Sequence, residues 1–91
     1  MKTTILFPSF SIFIPEKLEE GILYISFEYE VAIHLCCCGC KEKTVTPFGK
    51  NGWNLEHNVK TNEVTLTPSI GNFQIPCKSH YFITNNKVIE I

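Results

Sequence analysis

The chain has 91 residues and sets eight lysines against nine glutamates, with no arginine and no aspartate. That length has room for one domain, residues 1–91, around one core, and 44% apolar content is too rich for a disordered tail. A formal net charge of -1 without arginine speaks against a nucleic-acid binder, and the missing aspartate excludes a Ser-His-Asp triad. No membrane span is expected, because the apolar runs 5–7 and 10–14 are short and are broken by Pro8 and Pro15. Lys2 is followed by no small-residue cleavage site, which predicts a cytoplasmic, reducing setting.

Strand signals dominate the chain. Residues 10–14 alternate loosely and predict a short strand. Residues 15–21 predict one or two helical turns, with Pro15 at the first helical position and Gly21 ending them in a left-handed conformation. Residues 22–28 and 30–36 have the Ile, Val, Tyr and Phe content of strands. In the second, Val31, Ile33 and Leu35 share one face, and Ala32, His34 and Cys36 the other. Residues 41–43 predict a solvated turn, 44–48 a strand and 49–52 a loop. Strands are predicted at 53–57 and 63–67, a loop at 68–72 and a short strand at 73–75. Residues 78–84 and 87–91 flank Asn85-Asn86, a two-residue hairpin turn needing positive φ at both positions. Phe27, Tyr29, Trp53, Phe73, Tyr81 and Phe82 are expected in the core, and His57 in solvent. The fold class is mainly β, a small antiparallel domain with at most one short helix.

Cys36, Cys37, Cys38 and Cys40 crowd into five positions, and Cys77 lies far downstream. Thiolates this close repel unless a cation holds them, and zinc takes four in a tetrahedron. A chain reversal at Gly39 lets Cys38 and Cys40 grip one ion, with Cys36 on the same strand face and Cys77 arriving from a neighbouring strand. Cys37 is then the spare, a small buried hydrophobe. His80, in Cys77-Lys-Ser-His80, is an alternative fourth ligand. Four cysteines close the coordination shell, so the zinc is expected to be structural and to staple the domain.

Equal offsets suggest a catalytic pair. If Cys36 and Cys77 lie opposite each other in an antiparallel pair, His34 comes opposite Ser79, close enough for a histidine base to activate a serine. Glu28 or Glu30 would orient the ring in place of the absent aspartate. The second choice is Ser69 with His80. Gly71 and Asn72 would offer amides to an oxyanion.

His34-Leu-Cys-Cys-Cys-Gly-Cys40, Val45-Thr-Pro47, Trp53-Asn-Leu55, Val64-Thr-Leu-Thr-Pro-Ser-Ile-Gly-Asn72 and Pro76-Cys-Lys-Ser-His-Tyr-Phe-Ile83 resemble, in order, the signature blocks of a small bacterial family. That family, the BubE-type peptidases, occurs in operons for ubiquitin-like conjugation. The resemblance covers roughly residues 20–91. Family motif positions hold His34, Cys36, Cys38, Gly39, Cys40, Ser69, Gly71, Asn72, Cys77, Ser79, His80 and Tyr81, while Cys37 falls on an open one. Lys41 stands where a glycine often follows the last cysteine, and Phe73 where tryptophan is frequent. The resemblance implies a serine-type peptidase that processes or deconjugates a bacterial ubiquitin-like protein, its partner. The rival expectation is a non-catalytic zinc-binding interaction module of the same pathway. Zinc-hydrolytic chemistry would need an open metal position, and a thiol route would pass through Cys37.

Overall fold

Alternating apolar and polar residues build eight strands among the described residues, which are 3–50 and 52–91 of this computed structural model. Lys2 and Asn51, the latter in the predicted 49–52 loop, lie outside them. The strands are β1 (Phe7–Phe10), β2 (Ile22–Ser26), β3 (Val31–Leu35), β4 (Lys43–Pro47), β5 (Asn54–Asn58), β6 (Glu63–Gly71), β7 (His80–Thr84) and β8 (Lys87–Glu90). They form two sheets, ordered β1-β2-β3-β4 and β5-β6-β7-β8. Every pair is antiparallel except β1 with β2, which is parallel. The mainly β class holds, and no described residue is helical.

The two sheets share one core. Leu23 and Ile25 of β2 and Ala32 of β3 meet Val64, Leu66 and Ile70 of β6 and Tyr81 and Ile83 of β7. Leu6 joins them from a segment that crosses between the sheets, with Val88 N–H donating to Thr4 O at 2.8 Å and Leu6 N–H to Asn86 O at 2.8 Å. Leu66 is fully buried. Leu66→Ala is therefore expected to cost about 2–5 kcal/mol of stability, read as a lower denaturant midpoint at unchanged slope.

Several elements differ from expectation. Residues 15–21 form no helical turn; so short a run cannot offset the cost of a helix nucleus, and Glu19 N–H donates instead to the Tyr24 hydroxyl at 2.9 Å. Gly21 does adopt the left-handed conformation, with φ 84°. The first strand is Phe7–Phe10 rather than 10–14, and it tolerates Pro8 because it is an edge strand. Residues 68–71 continue β6 instead of looping, because Ile70 is drawn into the core, while 73–75 lie in the turn that follows. Asn85 and Asn86 make the predicted turn, with φ 48° and 68°. Of the six aromatic residues assigned to the core, Tyr81 is buried and Trp53 packs against the cluster, whereas Phe27, Tyr29, Phe73 and Phe82 are exposed. His57 is half-buried, packed against Phe10 with the rings tilted 44° and bonded to Asn62 Oδ1 at 2.9 Å.

Candidate functional site

The cysteines come together at the tip of the β3–β4 hairpin. Cys36 follows β3 on the face that buries Ala32 and His34. Its N–H donates to Glu42 O at 2.8 Å, closing the hairpin. Gly39 reverses the chain with φ 93°, and Cys40 N–H donates to Cys38 Sγ at 3.3 Å. Lys41, at the position where the family resemblance expects glycine, takes the left-handed φ of 64° that glycine favours, so the turn is kept. Cys77 arrives from the connection between β6 and β7 in the other sheet.

All four sulfurs of Cys36, Cys38, Cys40 and Cys77 lie within 4.8 Å of one another. Separations of 3.5 Å (Cys36–Cys38), 3.6 Å (Cys36–Cys77) and 3.8 Å (Cys40–Cys77) match the edge of about 3.8 Å that a tetrahedron of sulfurs about 2.3 Å from a metal would have. The donor set therefore fits a metal ion. Cys37 is buried apart, as expected, and burial pushes its thiol up to about 12. Hydrogen bonds, first that of the Ser79 hydroxyl, hold the Cys77 thiol down at about 6.

His34 and Ser79 do not meet. Their expected juxtaposition required β3 and β7 to pair, and these strands belong to different sheets. Ser79 Oγ faces sulfur instead, 3.0 Å from Cys36 Sγ and 3.4 Å from Cys77 Sγ. His34 is fully buried, with Nε2 2.7 Å from the Tyr81 hydroxyl. Burial lowers its pKa to about 4, so the ring is neutral at pH 7. Its Nδ1 has no partner among the described residues, so neither Glu28 nor Glu30 orients it.

Asn72 ties this buried network together. Its amide donates to Thr44 Oγ1 at 3.1 Å, Cys36 Sγ at 3.3 Å and the Tyr81 hydroxyl at 3.4 Å. Its backbone N–H donates to Ser79 O at 2.8 Å. Asn72 is thus committed to holding the two sheets and the thiol cluster in register, and neither of its N–H groups is open to an oxyanion. Tyr81→Phe strips a buried polar atom of its partner and should cost about 1–3 kcal/mol, measured by equilibrium unfolding.

Ser69 and His80 do meet, with Ser69 Oγ 2.8 Å from His80 Nε2. The register of β6 on β7 breaks between Leu66 and Ile70, a stretch that contains the cis Thr67–Pro68 bond, and such bulges re-aim side chains. Gly71 stands opposite His80. Ser69, two residues earlier, shares that face and is the diagonal neighbour of His80 across a residue with no side chain. The Phe73 ring packs edge-on to His80 at 5.2 Å, and a Cβ on Gly71 would overlap that ring. Gly71 therefore makes room for the aromatic ring that fixes the imidazole. His80 is occupied by Ser69, and the four cysteines complete the cluster without it. Thr44, Phe73 and the Tyr81 hydroxyl carry no signature of these roles in the sequence, since each acts through an atom from a distant strand.

Among the described residues no helix is long and apolar enough to cross a membrane. No curated protein and no solved structure gives a match to the chain. Residues 10–91 match the family described as the bacterial ubiquitination-like system serine protease, BubE. With the blocks from His34 to Ile83 inside that match, and a serine–histidine pair held beside a four-cysteine cluster, the chain belongs to the BubE family of bacterial ubiquitination-like systems.

Proposed function

We propose that this chain is a serine-type peptidase that processes or deconjugates a bacterial ubiquitin-like protein, with Ser69 as nucleophile and His80 as its base. The carrying observation is the 2.8 Å hydrogen-bond contact between Ser69 Oγ and His80 Nε2, which lets the neutral imidazole accept the hydroxyl proton. His80 takes the hydroxyl proton as Oγ attacks the scissile carbonyl, then returns it to the leaving amine. Water, deprotonated by the same imidazole, hydrolyses the acyl-enzyme. Gly71 keeps the oxyanion role expected of it. Since Asn72 N–H bonds to Ser79 O just before β7, alternation turns the Gly71 amide, opposite His80, away from β7 and leaves it to a substrate oxygen. His34 and Ser79 become structural residues in this reading, the first a buried partner of Tyr81 and the second a hydroxyl on the thiol cluster.

Cys36, Cys38, Cys40 and Cys77 would hold a zinc ion whose chemistry is structural, a closed shell of four thiolates with no open position. A reducing, cytoplasmic setting suits thiols in that state. The direct test is incubation with a ubiquitin-like protein of such an operon, followed by intact-mass analysis. A shortened product supports the peptidase. The second reading, a non-catalytic docking module, draws on exposed paired rings, Phe10 with Phe27 at 5.7 Å and Phe13 with Tyr29 at 5.9 Å. Stable association without cleavage would select it and sink the first.

A further inference from the structure

A groove of about 350 Å³ runs between two consecutive stretches of backbone, residues 43–46 of β4 on one wall and 70–75 on the other, with Trp53 between. We infer that this groove takes an extended peptide segment of the substrate as an added strand on β4, which leads its scissile bond past Ser69. The inference rests on Ser69 being the nucleophile.

Both walls offer backbone groups for such a strand. β4 ends its sheet. Cys36 N–H bonds to Glu42 O at 2.8 Å and Phe48 N–H to Glu30 O at 2.9 Å. Antiparallel alternation then points the even-numbered residues between them at β3 and leaves the N–H and C=O of Lys43 and Val45 facing outward. At Pro47 the open edge closes, because proline has no N–H and its carbonyl accepts from Trp53 N–H at 2.8 Å. The opposite wall is open for a matching reason. The last β5–β6 pair is Asn54 with Thr67, so β6 has no partner on that side beyond Thr67 among the described residues. Asn72 faces β7, and so Gly71 faces the groove.

The floor is closed by the Asn72–Thr44 hydrogen bond, 3.1 Å, which joins the two walls. Trp53 lines the groove, and its buried indole N–H has no acceptor among the described residues. Two of the other sheet edges are blocked. β1 carries Pro8, and the β8 edge is covered by the bonds of Thr4 and Leu6 described above. Strand addition takes its affinity from main-chain hydrogen bonds, which suits an unfolded tail or linker and excludes a folded surface as the bound element. From Gly71 on the groove rim to Ser69 is two residues, about 7 Å along a strand.

The test uses the metal-loaded protein and a labelled ten-residue peptide with the C-terminal sequence of a bacterial ubiquitin-like protein. Val45→Pro removes one outward N–H at an edge position where proline is tolerated. It should raise KM at least tenfold while Ser69 still reacts with diisopropyl fluorophosphate at the wild-type rate. Peptides N-methylated at alternate positions probe the same ladder on the unaltered protein. Methylation in one register should weaken KM at least tenfold, and methylation in the other register should leave it unchanged. Wild-type KM values for Val45→Pro and for both methylated registers would overturn the groove assignment. Failure of the nucleophile assignment shows separately, as a Ser69 that the fluorophosphate does not label.

Discussion

Ser69→Ala should lower the cleavage rate of a ubiquitin-like substrate by about 10³-fold or more, and His80→Ala by a comparable factor. The double variant should be little worse than either single one, because nucleophile and base act as a unit. Ser79→Ala and His34→Gln provide the contrast. Neither side chain meets the other, and each serves the interior, so activity per folded molecule should stay within about tenfold of wild type. Melting curves recorded beside each assay separate lost chemistry from lost fold. A Ser69→Ala variant that cleaves at the wild-type rate would remove the assignment.

Metal removal should have the second large effect. The four cysteines tie the β3–β4 tip of one sheet to the β6–β7 connection of the other. His80 stands three residues after Cys77, and Asn72 donates to Cys36 Sγ at 3.3 Å. Stripping a bound ion with a chelator should therefore loosen both strands that carry the serine–histidine pair. We expect one equivalent of zinc by elemental analysis, a Tm lowered by at least about 10 °C on chelation, and loss of cleavage over the same chelator range. Cys77→Ser should reproduce this loss, whereas Cys37→Ser should keep the metal, since Cys37 lies outside the cluster. Chelation that leaves Tm and activity unchanged would refute a stapling ion.

The crowding of Cys36, Cys38 and Cys40 was readable in the chain because cysteine spacing is a local property. These three cysteines sit in five positions around Gly39, and Cys37 is buried apart from them. Which serine meets which histidine was not readable in the same way. Equal offsets from Cys36 and Cys77 favoured His34 with Ser79, but that arithmetic assumed one sheet where there are two. With Cys36 just past β3 and Cys77 in the connection between β6 and β7, Ser79 turns toward sulfur and His34 goes into the core, against Tyr81. The bulge in β6 then aims Ser69 at His80 across Gly71. Between the Leu66–Ile83 and Ile70–Tyr81 pairs β6 advances four residues while β7 advances two, so Leu66 and Ile70 both stay in the core, and no periodicity in 68–72 announces it.

Local chemistry in the sequence determined the strand-rich class, the Asn85-Asn86 and Gly39 turns and the crowding of Cys36, Cys38 and Cys40, each through interactions within a few residues. Tertiary structure alone decided which sheet each strand joined, and so which serine meets which histidine. Those contacts depend on how two apolar faces pack, and that packing is a property of all eight strands together.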